Sequence, residues 1–395
     1  MSKKRILFTY PYMNIGGSTS ALLGLLNNLD KDKFDIDLQL GRNEGELIDY
    51  VPKNVRLLPE ATLHISKFSK KLRIVCSRWF LKGIWHSVKY TRKVGFFAQD
   101  LAYAKTVLCR KPEGHYDIAV GGLEGWANAY VNECVDADVK ISWIHTDYRK
   151  MNLVPEADVW SLKKSNYVVC VSDILAEQLA EIMPEIGHKI VCLENVIPCD
   201  MIRRMSNEAI AETGDFDQSS FKILTVARVS FFQKRLDRVI PILRSLLDEG
   251  LRVSWYIVGD GPDIDKLRKM ADEAGVSESL FLMGSKVNPY PYYRLCDLFV
   301  LTSDIEGKPI TVSEALTLGI PVVVTNYESA SRQVADGVNG IIAENSEQGL
   351  IDALKKVMSN QAFYQSLKQN AGMVRTDNSA EVMKQFSQMC SNKER

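Results

Sequence analysis

Residues 297–325 read DLFVLTSDIEGKPITVSEALTLGIPVVVT. An apolar run, LFVLTS, leads into a polar loop, then an amphipathic stretch that begins near Ile310, then a second apolar run, PVVVT. Short runs rich in β-branched residues read as strands buried on both faces, and a helix joining two of them is the crossover of a parallel sheet. The same rhythm extends to both sides. Toward the N-terminus lie FKILTVA (221–227), VSWYIVG and LFLMG, and before them RILFTY, FDIDLQL, DIAVGG, VKISWIH and YVVCVS. A loop with Gly16 and Gly17 and a helix over about 18–29 follow the first strand. Between the two strand series, residues 201–220 (MIRRMSNEAIAETGDFDQSS) are polar and lack a strand pattern, which places the domain boundary there. The expected fold class is α/β, with two doubly wound, Rossmann-like domains facing each other across a cleft. The first spans 1–200 and the second 201–375, with a helix at about 376–395 that can pack back on the first. Ligands of such sheets bind beyond the carboxyl ends of the strands.

Composition narrows the function. The 395 residues are 46% hydrophobic and 25% charged, which excludes a disordered, collagen-like or disulfide-stapled chain. Forty-nine basic residues balance forty-nine acidic ones, so no global attraction to nucleic acid is built in and no nucleic-acid partner is expected. The eight cysteines show no Cys-x-x-Cys spacing, which points to a reducing cytoplasm without structural zinc. No run of eighteen apolar residues occurs, so no bilayer-spanning segment is expected.

Charge is uneven locally. Residues 64–111 hold twelve basic residues and a single acid, Asp100. On a helix over 71–93, Lys71, Arg78, Lys82, Lys89 and Lys93 fall on one stripe, with Trp79, Phe80, Ile84 and Val88 away from it. That pattern fits either a solvated helix face or docking onto an anionic membrane surface.

The chemistry-bearing residues cluster at predicted strand ends. Glu306 sits in the loop after LFVLTS and Glu314 near the start of the following helix, whose N-terminus offers unpaired amides and a positive dipole end to a phosphate. Arg228 and Lys234 follow the first strand of the second domain, where two cations suit a diphosphate. The VGDGPD turn has Gly259 and Gly261 but Ile264 where a third fingerprint glycine would stand, so it is not read as an NAD site. Asp-x-Asp pairs (Asp35/Asp37, Asp136/Asp138, Asp263/Asp265) are assigned no metal, because so many acids produce them by chance.

Together, Arg228 with Lys234, the Gly-x-Gly-Pro turn, LMGSKVNPYPYYRLCDLFVLTS, and Glu306 with Glu314 ahead of EALTLGIPVVVT resemble the retaining glycosyltransferases of family four, which have the GT-B fold. The wording EGKPITVSEAL with NPYPYY is similar to enzymes of bacterial capsule and exopolysaccharide assembly. The resemblance implies a nucleotide-sugar donor, expected to be a UDP-sugar, and a lipid-linked saccharide acceptor met at the cytoplasmic face of the plasma membrane. It implies that Glu306 contacts the donor sugar, Glu314 the ribose, and Arg228 and Lys234 the departing diphosphate. Lys308, Pro309, Ile310 and Thr311 would line the donor phosphates, so no metal and no cofactor are expected. In the first domain Gly16 and Gly17 would let the loop approach the donor phosphates or the acceptor closely, and His145, with Asp147 as a weaker candidate, would reach the donor sugar. A sugar-nucleotide epimerase of the same fold and a non-catalytic subunit are the competing expectations.

Overall fold

Strand β1 (Lys4–Tyr10) is fully buried through Ile6, Leu7 and Phe8, as a central parallel strand must be. The computed structural model describes residues 3–77, 81–82, 96–210, 216 and 219–391. It divides into two units, residues 1–196 with 378–395 and residues 197–377.

Unit 1 is built on β1, β2 (Phe34–Leu40), β3 (Val55–Leu57), β4 (Tyr116–Gly121), β5 (Ala137–Ile144), β6 (Tyr167–Cys170) and β7 (Ile190–Cys192). All seven pair in parallel in the order β3-β2-β1-β4-β5-β6-β7. The sheet therefore grows outward in both directions from β1 and β4, and their carboxyl ends define its switch point. The helix Gly17–Asn28 follows β1 and buries Leu22, Leu23, Leu25 and Leu26 against the sheet. The last helix, Ser379–Ser391, also belongs to this unit. Phe386 stacks on Phe8 and on Trp143 at centroid distances of 6.3 and 6.4 Å, and Lys4 Nζ donates to the Cys390 carbonyl at 2.9 Å.

The basic segment departs from the single helix expected over 71–93. A helix over Lys67–Val75, capped by Ser66 Oγ, stops at Cys76. The Ser77 hydroxyl and amide both turn back onto the Ile74 carbonyl, which closes the last turn instead of continuing it. Lys82 does not extend a solvent stripe, because its ammonium lies 3.9 Å from the Trp160 ring centroid. Arg78, Trp79, Phe80, Ile84, Val88, Lys89 and Lys93 lie outside the described residues.

Unit 2 repeats the plan with β8 (Phe221–Val226), β9 (Val253–Val258), β10 (Leu280–Gly284), β11 (Leu298–Leu301), β12 (Val322–Thr325) and β13 (Gly340–Ala343), all parallel in the order β10-β9-β8-β11-β12-β13. Its switch point lies between β8 and β11. The turn after β9 lies directly on the loop after β8: a Cβ at Gly259 would stand 1.9 Å from the Ala227 carbonyl oxygen, and one at Gly261 2.2 Å from that of Val229. Glycine is required there by the contact itself. Among the described residues no helix is long and apolar enough to cross a membrane.

Candidate functional site

In unit 2 the loops after β8 and β11 are laced together at the switch point. The Asp304 amide donates to the Gln233 carbonyl at 3.0 Å, and Thr302 Oγ1 donates to the Lys234 carbonyl at 2.7 Å. Gln233 Nε2 donates to the Ile305 carbonyl at 3.2 Å. Asp304 takes Arg235 at 2.8 Å and Arg238 at 2.9 Å, while Arg238 also reaches Asn345 Oδ1 at 2.6 Å. Arg235 adopts a left-handed backbone, φ 50°, and is held there by Asp237 and Asp304. None of Gln233, Arg235, Arg238 and Asp304 stood out in the sequence, because an ion-pair lattice between distant loops has no spacing of its own.

On this frame Lys234 and Glu306 meet, with Nζ 2.6 Å from Oε1. Their side chains are 19% and 6% exposed, so the pair is screened from bulk water far more than a surface bridge. Arg228, in the same loop as Lys234, is exposed. Its loop is pinned from β9's side by the Val229 amide on the Asp260 carbonyl and the Phe231 amide on Asp263 Oδ2, both at 3.0 Å. The helix Ile310–Thr317 starts directly after Lys308 and Pro309. Pro309 has no N–H, so only Lys308, Ile310 and Thr311 of the expected donor-lining stretch carry amides. The Pro309 carbonyl instead accepts from Gln333 Nε2 at 3.0 Å.

Glu314 is placed differently from Glu306. It is buried in the second turn of the helix, and its two carboxylate oxygens accept from the hydroxyls of Tyr290 at 3.2 Å and Tyr293 at 3.0 Å. Burial pushes its carboxyl up to about 7, with the two tyrosine hydroxyls opposing the shift. The tyrosines of NPYPYY thus hold this glutamate, a pairing across 21 and 24 residues that the sequence does not announce.

In unit 1, Gly16 caps the helix Gly17–Asn28 with extended backbone, and a Cβ built there meets nothing within 4 Å. Among the described residues no neighbour demands glycine at 16. His145 follows β5 directly. Its amide donates to Glu124 Oε2 at 3.0 Å, and its ring Nε2 lies 3.1 Å from the Gly122 carbonyl. A carbonyl only accepts, so Nε2 carries the proton and Nδ1 is left as an acceptor. Burial lowers the imidazole's pKa against the opposing pull of Glu124, which keeps the ring neutral. Glu124, also bonded by the Thr146 hydroxyl, orients this strand end and was not singled out in the sequence. Asp147 instead turns its Oδ1 onto the amides of Arg149 and Lys150. Asp136 and Asp138 flank the His115 ring at 3.2 and 3.0 Å, at the amino ends of β4 and β5. Among the described residues no group of three His, Cys, Asp or Glu side chains is arranged to hold a metal.

Residues 206–373 match the family model described as glycosyl transferases group 1. Over 372 residues the chain is 28% identical to the N-acetylgalactosamine-N,N'-diacetylbacillosaminyl-diphospho-undecaprenol 4-alpha-N-acetylgalactosaminyltransferase of Campylobacter jejuni, covering 92% of this chain and 93% of that protein. It is 26% identical over 206 residues to the O-antigen biosynthesis glycosyltransferase WbnH of Escherichia coli, covering 52% of each. Other curated relatives are matched over shorter spans: the chain covers 36% of the uncharacterized glycosyltransferase MJ1059 of Methanocaldococcus jannaschii and 23% of the poly(glycerol-phosphate) alpha-glucosyltransferase of Bacillus subtilis. Among solved structures, Anabaena Alr3699/HepE in complex with UDP-glucose superposes with a TM-score of 0.72 at 14% identity, covering 98% of this chain and 99% of that one. WaaG, a glycosyltransferase involved in lipopolysaccharide biosynthesis, gives 0.67 at 14% identity, covering 98% and 100%.

Proposed function

From a chain that belongs to the glycosyl transferases group 1 through residues 206–373 and has the GT-B fold along its length, we propose a retaining sugar transfer from a UDP-sugar to a lipid-linked saccharide in bacterial surface-glycan synthesis. The observation that carries this reading is the Lys234–Glu306 pair at the switch point of unit 2, beside the start of the helix Ile310–Thr317. One carboxylate and one ammonium, held together by backbone loops, supply what the two halves of a sugar diphosphate need. Glu306 accepts hydrogen bonds from sugar hydroxyls, and Lys234 with Arg228 meets the diphosphate.

The bond between the anomeric carbon and the diphosphate oxygen breaks, the sugar gains oxocarbenium character, and the leaving group gains negative charge. Lys234, Arg228 and the amides of Lys308, Ile310 and Thr311 stabilise that charge more strongly as it develops than in the ground state. The acceptor hydroxyl attacks on the face the diphosphate leaves, its proton passes to a phosphate oxygen, and configuration is retained. Glu314, held by Tyr290 and Tyr293, anchors the nucleoside end. Transfer then needs no divalent metal, and activity persists in EDTA; loss on chelation with recovery in manganese would overturn the charge-neutralising role of the two cations. The acceptor is reached from an anionic membrane surface, with the helix Lys67–Val75 as the contact.

Calorimetry with UDP tests the reading. Lys234→Ala should weaken binding by about 1.5–3 kcal/mol, roughly ten- to a hundredfold in Kd, the usual worth of a hydrogen bond to a charged group. Unchanged affinity in that variant would remove the diphosphate from this loop.

A further inference from the structure

Gln333 lies in the loop after β12, just past the short helical turn Ala330–Arg332, and nothing in the sequence marked it. Its Nε2 donates to two acceptors at once, the Pro309 carbonyl and Ser313 Oγ, both at 3.0 Å. A carbonyl only accepts, which fixes the orientation of the amide, and both of its hydrogens are spent on the start of the helix Ile310–Thr317. Oε1 is buried and has no hydrogen-bond partner among the described residues. A buried acceptor left unmade costs stability, so packing alone would favour an apolar side chain here. Gln333 is itself held, because its backbone amide and that of Val334 both donate to the Ala330 carbonyl, at 3.1 and 2.9 Å. Ala330 and Val334 are buried, which ties this loop to the body of unit 2.

The helix start that Gln333 holds has Pro309 at its N-cap position and makes no side-chain cap. A serine or aspartate cap would fix this turn by accepting from first-turn amides, the same amides that the donor diphosphate is to meet. Gln333 fixes the turn with the opposite polarity: it donates to acceptors, so it consumes none of those amides. The Pro309 carbonyl also takes the Val312 amide at 3.3 Å and is thereby held from two directions. We propose that Gln333 is a positioning residue for the donor diphosphate. It stands in for the missing cap and presents the amides of Ile310 and Thr311 to the phosphate oxygens. The inference rests on the reading of this site as one for a UDP-sugar, and it names the side chain that sets the site's geometry without touching the ligand.

The test compares UDP with uridine, which lacks the diphosphate, in titration calorimetry. The wild type should bind UDP far more tightly than uridine. Gln333→Met keeps the length of the side chain and removes both donors. It should lower the preference for UDP about tenfold, roughly the worth of one hydrogen bond, and leave uridine affinity unchanged. Its thermal unfolding should stay near that of the wild type, because the unpaired Oε1 is removed together with the donors. Gln333→Glu, close in shape, should lose the preference near pH 8, where a carboxylate faces the Pro309 carbonyl. It should recover part of the preference near pH 5, where a protonated carboxyl donates once more, each measured against the wild type at that pH. A Gln333→Met protein that keeps the full preference, or that loses UDP and uridine alike, would overturn the positioning role and leave the UDP site standing. A wild type that binds UDP no better than uridine would remove the diphosphate site itself, and the inference with it.

Discussion

Glu314 is where the fold and the chemistry of unit 2 compete over a single proton. Its carboxyl, ordinarily near 4.5, titrates near 7 inside the fold because burial penalises the charge more than two tyrosine hydroxyls compensate it. Between those values the folded chain binds more protons than the unfolded one, so this residue makes stability fall as pH rises from about 4.5 to 7. Glu314→Gln keeps an acceptor for one tyrosine and abolishes the titration. Thermal unfolding of both proteins from pH 5 to 7.5 should show a steeper loss in the wild type. Parallel curves would mean that the carboxyl is ionised throughout. The sequence placed Glu306 in a loop and Glu314 near a helix start, and the structure gives them different surroundings: one lies in an ion pair at the strand ends, the other among aromatic rings. Tyr290 and Tyr293, the cause of the difference, stood in the sequence only within the NPYPYY wording, with nothing to tie them to Glu314.

At the scale of elements, the strands were legible because parallel sheets demand continuous apolar runs, and the loops were not. Lys234 and Glu306 are 72 residues apart and meet only because β8 and β11 are neighbours, a fact of sheet order and not of spacing. The glycines divide in the same way. Gly259→Ala forces a Cβ onto the Ala227 carbonyl at φ 148° and should destabilise the protein by about 1–3 kcal/mol in urea unfolding. Gly16→Ala meets open space, so its cost should be only that of a poorer N-cap, about 0.5–1 kcal/mol and less than at Gly259. Equal losses at both positions would contradict the packing described here. The basic segment was legible as charge but not as shape. Its helix Lys67–Val75 exposes Phe68, Leu72 and Val75 at 76%, 53% and 41%, one stripe at intervals of four and three, on a helix that also carries Lys67, Lys70 and Lys71. Each lysine near an anionic surface is worth about 1 kcal/mol, falling off within a Debye length. Changing the three lysines to Glu should release the protein from anionic vesicles in co-sedimentation, and high salt should do the same to the wild type. Equal sedimentation of the two proteins would leave the stripe a solvated surface.

On the scale of the whole molecule, the chain does not divide at one point: residues 378–395 return to unit 1 after unit 2 is complete. The returning helix contributes core and not decoration. Phe386 is fully buried and stacks on Phe8 of β1 and Trp143 of β5, the two strands that flank β4 at the switch point. The core of unit 1 is therefore completed by the last helix of the chain, while the core of unit 2 is assembled from residues 221–367. A Phe386→Ala substitution removes a fully buried ring and should cost about 3–5 kcal/mol, as such cavities do. Because the ring packs in the core of unit 1, that cost should fall on unit 1. In differential scanning calorimetry, where two units with separate cores unfold in separable steps, the variant should lower the transition assigned to unit 1 and leave the other in place. UDP, which the proposed site holds in unit 2, should raise the unaffected transition in both proteins by mass action. A single transition that moves as a whole in the variant would show that the two cores unfold as one, and that the returning helix stabilises the entire chain.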